Sequence, residues 1–291
     1  MQHVFVAPSR RRACAQGGHC RGETRPTLAL RCGLRYMVRM MLLQGKTVLI
    51  TGGSRGIGAA CARAMAAQGG HVIVAGRSAA ALQMIAGELH GETMMVDLAD
   101  RRDVDRALAQ VGGRRIDVIV NNAGIAESAT VVDTTDDIWD RTMEVNATAP
   151  FRIVRALLPA MVAAKWGRII NIASNAGVSG YPYTAAYCAS KHALVGLTRA
   201  LAIDLARTGI TVNALCPGWV DTDMAATAAI RIAGKTGRSA DEARQALAAM
   251  SPQRRLIEAD EVAYAAVMLC ADGARGIHGQ TLVIDGGQIL K

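Results

Sequence analysis

The sequence predicts an α/β fold in which one doubly wound parallel sheet of seven strands carries helices on both faces. Short apolar runs rich in Val and Ile alternate along the chain with Ala-rich segments of helical length, the pattern of βαβ units. Aromatic residues are scarce (3%) and hydrophobic residues make up 51% of the 291 positions, as in proteins that pack helices closely on a sheet. A glycine-rich turn also follows the first apolar run and opens directly into a helix.

The predicted elements follow in order along the chain. Seven segments have the strand pattern: 47–50, 71–75, 93–96, 116–120, 168–173, 211–215 and 281–284. Helices are predicted between them at 56–67, 78–89, 104–111, 149–164 and 185–207. No internal repeat or Pro/Ser-rich linker interrupts this alternation, so we expect one domain over residues 42–291.

Residues 1–41 differ from the rest in composition. Residues 1–40 contain eight arginines and one acidic residue, and so contribute +7 of the net charge of +9. Such a leader is typical of a transit peptide, of a disordered extension that binds an acidic partner, or of upstream DNA translated ahead of a start at Met37, Met40 or Met41. We favour the last interpretation, and expect no nucleic-acid-binding core because the other 251 residues are nearly neutral.

The remaining composition indicates a reducing, cytoplasmic location. The cysteines after residue 41 show no metal-ligand spacing, so no metal site is expected: Cys61, Cys188, Cys216 and Cys270. The leader shows no secretory h-region, so no secretory signal is expected. The longest uncharged run, 169–190, contains Asn, Ser, Gly and Pro, so no membrane span is expected there.

The glycine-rich turn, Thr51-Gly-Gly-Ser-Arg-Gly-Ile-Gly58, indicates dinucleotide binding. Gly52, Gly56 and Gly58 would permit a tight turn, close approach of the backbone to a pyrophosphate, and close packing of helix on strand. The helix N-terminus would then face the phosphates. Three glycines are weak evidence alone, but their place between a first strand and a first helix is the context that supports this interpretation.

The end of the second strand indicates which dinucleotide binds. An NAD site usually has an acidic residue there for the ribose 2′-hydroxyl, and this chain has Arg77 instead. Arg77 and Arg55 of the glycine loop could hold a 2′-phosphate, although either could equally be a solvated surface residue. We therefore expect NADP(H) to be preferred, with NAD(H) possible.

Tyr187 and Lys191 lie four residues apart in a predicted helix and so share one face of it. A neighbouring ammonium favours the phenolate, so Lys191 is expected to lower the pKa of Tyr187 and to make it a proton donor and acceptor near neutrality. Ser174 follows the strand predicted at 168–173, at the carboxyl end where open α/β sheets bind ligands. Such a Tyr/Lys pair also occurs by chance in many helices.

Taken together, these motifs resemble the short-chain dehydrogenase/reductase family over about residues 44–290. The chain has the family's motifs in order: Thr51-Gly-x-x-x-Gly-x-Gly58, Asn121-Asn-Ala-Gly124, Asn146, Ser174, Tyr187-x-x-x-Lys191 and Pro217-Gly218. The resemblance implies a Rossmann-type fold and an NAD(P)-dependent oxidoreductase acting on a CH–OH group.

The resemblance also implies a role for each catalytic residue. Tyr187 would exchange a proton with the substrate oxygen, and Ser174 would hold that oxygen. Lys191 would lower the pKa of Tyr187 and bond the nicotinamide ribose. Asn146 would anchor a water in a proton relay to Lys191.

Further residues are implied to contact the cofactor. Asp97 and Leu98 match the pair that contacts adenine, Asn121 and Gly124 would border the adenine ribose, and Thr222 matches the threonine that bonds the carboxamide. Asn121 could instead serve only the ends of the strands. The implied cofactor set is Gly52, Ser54, Arg55, Gly56, Ile57, Gly58, Arg77, Asp97, Leu98, Asn121, Ala123, Gly124, Tyr187, Lys191, Pro217, Gly218, Val220 and Thr222.

Residues 223–255 occupy the family's substrate lid and are predicted to form two short helices, 224–233 and 240–250. Six cations lie there: Arg231, Lys235, Arg238, Arg244, Arg254 and Arg255. A basic lid suits a phosphate-bearing substrate such as a CoA or acyl-carrier-protein thioester, although an ordinary charged helix pair explains it equally well.

These expectations combine into one hypothesis with one alternative. The hypothesis is NADPH-dependent reduction of a 3-oxoacyl thioester or related β-keto compound. The alternative is NAD(P)-dependent oxidation of a secondary alcohol. The family commonly forms tetramers through the helices that correspond to 149–164 and 185–207, so a homotetramer is expected.

Overall fold

The computed structural model describes residues 41–111 and 113–289, so the predicted basic extension lies outside the described residues except for Met41. The strands are β1 Thr47–Thr51, β2 His71–Gly76, β3 Glu92–Met95, β4 Val118–Asn121, β5 Gly167–Ile172, β6 Ile210–Pro217 and β7 Thr281–Ile284. The helices are α1 Gly56–Ala66, α2 Ala79–Leu89, α3 Arg101–Gln110, α4 Asp136–Met143, α5 Ala149–Ala164, α6 Ala185–Leu205, α7 Asp223–Thr236, α8 Ala240–Ala249 and α9 Ala259–Cys270.

The seven strands form one parallel sheet in the order β3-β2-β1-β4-β5-β6-β7. The strand order reverses between β1 and β4, and open α/β sheets bind their ligands beyond the strand ends at such a point. The carboxyl ends of β1, β4 and β5 therefore meet at one edge. The predicted fold class, a doubly wound Rossmann-type sheet, is confirmed.

Helices cover both faces of the sheet, which explains why β4, β5 and β6 are buried along their whole length. On one face the main core cluster includes Met65 of α1 and Leu269 of α9. On the other face a second cluster includes Val104 of α3, Ile153 of α5 and Leu205 of α6. All six residues of β5 are buried, which places Ser174 just beyond a rigid strand.

The predicted strands agree with the structure to within two residues at each end, but two helices were missed. One is α4, whose first turn is capped by the Thr135 side chain accepting from the Ile138 N–H. The other is α9, where Glu258 and Glu261 form a capping box. Helix α3 also begins three residues before the predicted start, because the Asp100 carboxylate caps the N–H groups of Arg102 and Asp103.

Helices α4 and α5 are continuous through a π-helical turn, Glu144–Thr148. The whole stretch Asp136–Ala164 is long and apolar enough, by length and composition alone, to cross a membrane. Its buried side chains, Ile153 and Met161 among them, pack in the core beneath the sheet. One face of this helix therefore packs against the core of the domain.

The predicted lid consists of α7 and α8, which pack on each other around a small separate core of Ala225, Ala229, Ala243, Leu247 and Leu256. Helix α7 extends beyond the predicted 224–233, because it runs on to Thr236 before Gly237 ends it in the left-handed conformation.

Candidate active site

The glycine loop joins β1 to α1 at the strand-order reversal. Gly52 and Gly56 have φ of +63° and +50°, a region that favours glycine. A Cβ on Gly58 would lie 2.2 Å from the Gly52 carbonyl oxygen, so a side chain there would displace the loop. Among the described residues, no side chain caps α1 and its first turn holds no acid. The first-turn N–H groups are therefore free of a capping side chain, as a pyrophosphate site at this helix end would require.

Asn122 holds this loop in place, although the sequence prediction assigned the site to its neighbours. Its side-chain Nδ2 donates to the carbonyl oxygens of Thr51 (2.9 Å) and Gly52 (3.1 Å). Thr51 Oγ1 in turn accepts from the N–H groups of Asn122 and Ala123. These hydrogen bonds join the carboxyl ends of β1 and β4 next to the glycine loop.

Asn121 has a different position from the one expected. Its side chain is buried, and Nδ2 donates to Asn171 Oδ1 of β5 at 2.8 Å. Asn171 Nδ2 donates in turn to Thr198 Oγ1 of α6 at 2.8 Å. The predicted contact of Asn121 with the adenine ribose is therefore not supported for its side chain, which instead ties two strands and α6 together.

The two arginines predicted to bind a 2′-phosphate lie at the rim of the cleft. Arg77 is exposed at the end of β2, and within the described part of the chain neither a hydrogen bond nor an ion pair holds its guanidinium. Arg55 Nη1 lies 3.6 Å from Asp223 Oδ2 at the start of the lid, and both side chains are about three-quarters exposed (75% and 73%). Such an exposed pair is weak, so Arg55 can exchange this partner for another anion.

The other predicted cofactor residues divide into core and surface. Leu98 is buried in the core beside α3, and Asp97 uses one carboxylate oxygen to accept from the Ala99 N–H. Val220, beyond β6, is buried and forms an isolated bridge with Ile257. A Cβ on Gly56 would lie 3.0 Å from Thr222 Cγ2, so the glycine loop and the loop after β6 face each other across a narrow gap. Ser54 lies in the glycine loop, Ile57 in the first turn of α1, and Pro217 is the last residue of β6.

Ser174, Tyr187 and Lys191 come together at the carboxyl end of β5. Ser174 is buried, and its Oγ accepts from the Ala176 N–H at 3.1 Å. Lys191 Nζ donates to the Ile172 carbonyl oxygen at 2.9 Å and lies 5.8 Å from the centre of the Tyr187 ring. A Cβ on Gly124 would lie 3.3 Å from both Lys191 Nζ and Asn146 Oδ1, so Asn146 belongs to the same cluster.

The pKa of Tyr187 differs in direction from the prediction. Burial raises the pKa of the phenol above its ordinary value of 10, and a hydrogen bond with Ser174 acts against burial without overcoming it. The predicted lowering of this pKa by Lys191 is therefore wrong for this structure, because loss of solvation outweighs the favourable contacts. Burial also lowers the pKa of Lys191 from 10.5 to about 8.

Asn146 lies in the π-helical turn between α4 and α5, and such turns frequently occur at functional sites. Its Oδ1 accepts from the Ile125 N–H, and its Nδ2 donates to the Ile125 carbonyl oxygen, each at 2.9 Å. Nδ2 also donates to Ser190 Oγ, which donates to the Tyr187 carbonyl oxygen. The amide thus connects the loop after β4 to the helix that carries Tyr187 and Lys191.

Two of the six lid cations are neutralised by neighbours. Arg244 forms a two-pronged ion pair with Asp221, at 2.8 and 2.5 Å. Arg255 pairs in the same way with Glu261. The other four are exposed and form no ion pair within the described residues, although Arg238 helps to lower the pKa of the nearby Glu242: Arg231, Lys235, Arg238 and Arg254.

Sequence reasoning missed the residues that position the site from behind. Asn122, Ser190 and Thr198 act through hydrogen bonds whose geometry depends on strand order, which the sequence pattern does not show. Across residues 41–111 and 113–289, no cluster of three His, Cys, Asp or Glu side chains is arranged to hold a metal ion.

Known proteins are similar to this chain over most of its length. The family model described as enoyl-(acyl carrier protein) reductase matches residues 52–288. D-beta-hydroxybutyrate dehydrogenase of Cupriavidus necator is 38% identical over 261 residues, covering 86% of this chain and 100% of that protein. The 3-oxoacyl-[acyl-carrier-protein] reductase FabG of Escherichia coli K12 is 35% identical, covering 86% of this chain and 100% of that protein.

A solved structure is also similar to this chain. The crystal structure of an actinorhodin polyketide ketoreductase variant with NADPH superposes with a TM-score of 0.80 at 36% identity, covering 84% of this chain and 97% of that one. The fold and these matches define an oxidoreductase with a Rossmann-type sheet. The chain belongs to the short-chain dehydrogenase/reductase family.

Proposed function

We propose that this protein reduces a ketone to a secondary alcohol with NADPH, and that the ketone is a 3-oxoacyl thioester or a related β-keto compound. The observation that carries the proposal is the cluster of Ser174, Tyr187, Lys191 and Asn146 beside the glycine loop, at the strand-order reversal. A phenol, an ammonium and a hydroxyl beyond one strand end can bind a carbonyl oxygen and deliver a proton to it.

The residues present fit a phosphorylated dinucleotide. The open N-terminus of α1 suits the pyrophosphate, and Gly52, Gly56 and Gly58 keep side chains out of the loop. Arg77 forms no ion pair with another described residue and suits a 2′-phosphate. Arg55 could also bind it, because its exposed ion pair with Asp223 is weak. When bound, the nicotinamide would supply the hydride.

The protein's own groups would supply the proton and the position. A phenol carries its proton at neutral pH, so Tyr187 would donate that proton to the developing alkoxide. Ser174 would hold the substrate oxygen. Lys191, with a pKa near 8, would restore the phenol's proton, since a group whose pKa lies close to the working pH both gives and accepts protons readily. Asn146 would hold the loop and helix at the distance that this exchange needs.

The substrate class is supported by the lid and by the relatives. Four cations on the lid that form no ion pair within the described residues suit the phosphates of CoA or an acidic carrier protein. FabG of Escherichia coli is named for a 3-oxoacyl-[acyl-carrier-protein] substrate, and the structural neighbour is a polyketide ketoreductase.

A second candidate is oxidation of a secondary alcohol with NAD(P), which the relative named D-beta-hydroxybutyrate dehydrogenase favours.

We also propose a cytoplasmic homotetramer. Helices α5 and α6 expose Phe151 (41%), Val162 (39%) and Ile203 (80%), which supports helix-to-helix association of copies. Sedimentation of the purified protein would test the assembly, and a monomer at micromolar concentration would contradict it.

The test of function is the initial rate of acetoacetyl-CoA reduction by NADPH and by NADH. We expect turnover with NADPH and a clear preference over NADH. NADPH binding without turnover of acetoacetyl-CoA would contradict the thioester assignment, and faster oxidation of 3-hydroxybutyrate with NAD would support the alternative.

A further inference from the structure

The last described residues, 285–289, form a turn beyond β7 that touches three parts of the active-site cleft. Its anchor is Asp285, whose buried carboxylate accepts from the N–H groups of Gly287, Gln288 and Ile289 at 2.9 to 3.1 Å. A carboxylate that accepts three backbone donors fixes the turn firmly. The turn is therefore a built structural unit rather than a loose end.

Gln288 bridges the segment between Ser174 and the start of α6. Asn175 Nδ2 donates to Gln288 Oε1 at 3.2 Å, and Gln288 Nε2 donates to the Tyr181 hydroxyl at 3.2 Å. Asn175 is buried directly after Ser174, and Tyr181 is half-buried six residues before Tyr187. One side-chain amide thus holds both ends of the loop that joins two of the proposed catalytic residues.

The same turn also packs on the cofactor side and on the lid. A Cβ on Gly218 would lie 2.7 Å from Asp285 Cβ, so the Pro217-Gly218 loop lies directly against the anchor. Ser251, just after lid helix α8, donates to the Gly286 carbonyl oxygen at 3.2 Å. Through these contacts the turn connects three segments: the loop between Ser174 and α6, the loop after β6, and the lid.

We propose that Gln288 is a positioning residue for ketone binding, which it serves by holding the 175–183 loop through Asn175 and Tyr181. The proposal rests on the proposed reductase function. Loss of the two hydrogen bonds removes the support that Gln288 gives to this loop and leaves Asn175 Nδ2 only its longer bond to Asp285 Oδ2 (3.5 Å). Tyr187, Lys191 and the glycine loop keep their own supports. The effect should therefore fall on the ketone, not on NADPH.

The test compares Gln288→Met, Tyr181→Phe and the double variant in acetoacetyl-CoA reduction by NADPH. Gln288→Met keeps the length of the side chain and removes both hydrogen bonds. It should raise KM for acetoacetyl-CoA about 10-fold. Its kcat and its KM for NADPH should change less than about 2-fold. The double variant should match Gln288→Met, because the bond to Tyr181 is already lost. The exposed Gln83→Met of α2 is the matched control and should match the wild type.

An unchanged KM for the ketone, an equal rise in KM for NADPH, or additive effects in the double variant would overturn the proposal. If Gln288→Met fails to fold, Tyr181→Phe still removes the hydrogen bond between Gln288 and Tyr181. This variant should also raise KM for the ketone.

Hydrogen exchange gives a measurement that needs no turnover. Amides of residues 176–183 should exchange about 10-fold faster in Gln288→Met than in the wild type. If the wild type reduces no ketone but exchange is faster in Gln288→Met, the proposed function fails and the positioning of the 175–183 loop by Gln288 is supported. Unchanged exchange in Gln288→Met would refute that positioning whatever the activity.

Discussion

Lys191 is buried with a lowered pKa, and this predicts that its ammonium group destabilises the folded protein at neutral pH. Between the folded pKa of about 8 and the unfolded value of 10.5, the unfolded state binds more protons, so the stability contributed by this group rises with pH. Working from these two values, the penalty is about 3 kcal/mol at pH 7 and about 1 kcal/mol at pH 9.5. The wild type should therefore gain about 2 kcal/mol from Lys191 over this range.

Other groups change stability in the opposite direction, so a variant is needed to isolate Lys191. Burial raises the pKa of Cys61 and Cys270 to about 12 and that of Cys216 to about 11. Their thiols deprotonate first in the unfolded state. The free energy of unfolding therefore falls as pH rises from the ordinary thiol pKa of 9.0 toward these folded values. Lys191→Met keeps these thiols, and the Ile172 carbonyl oxygen that it leaves unpaired costs the same at both pH values.

The assay is urea unfolding at pH 7 and pH 9.5, followed by tryptophan fluorescence at fixed protein concentration. The free energy of unfolding of the wild type minus that of Lys191→Met should increase by about 2 kcal/mol between the two pH values. The exposed Lys235→Met controls for loss of a positive charge and should show no such increase. An identical pH dependence in the wild type and Lys191→Met would refute the assignment of a lowered pKa.

Three further changes test the cofactor site and the support of α6. Gly58→Ala places a methyl group 2.2 Å from the Gly52 carbonyl oxygen, so NADPH affinity in a fluorescence titration should fall at least about 10-fold; unchanged affinity would contradict the loop geometry. Arg77→Asp should shift the ratio of kcat/KM from NADPH toward NADH, and an unchanged ratio would mean that other residues bind the 2′-phosphate. Thr198→Val leaves the buried Asn171 amide without its acceptor and should cost about 1–3 kcal/mol in urea unfolding, whereas Thr198→Ser should cost less; equal losses would contradict the hydrogen bond.

The fold was predictable because the strands are apolar along their length and end in glycine or polar residues. The two missed helices have weaker patterns. Helix α9 is almost uniformly apolar after its acidic first turn, so its period is hard to detect, and the acidic residues Asp260 and Glu261 were the available signal. For α4, the signal was Thr135 before two aspartates, an N-cap followed by a favourable first turn.

The site was predictable as a set of residues but not as a network. Asn121 and Asn122 are adjacent and chemically identical, and only their place at the end of β4 decides that one bonds β5 and the other the glycine loop. The pKa of Tyr187 was predicted in the wrong direction for a related reason. A spacing of four residues indicates a nearby ammonium, but burial, which sets the shift here, depends on the packed loops.

The central claim is that Tyr187 delivers a proton to a ketone oxygen during reduction by NADPH. Tyr187→Phe keeps the ring and removes the hydroxyl, so the variant should bind NADPH as the wild type does in a fluorescence titration and should lose acetoacetyl-CoA reduction by about 100-fold or more. Wild-type rates in Tyr187→Phe would contradict the account and remove the phenol from the reaction.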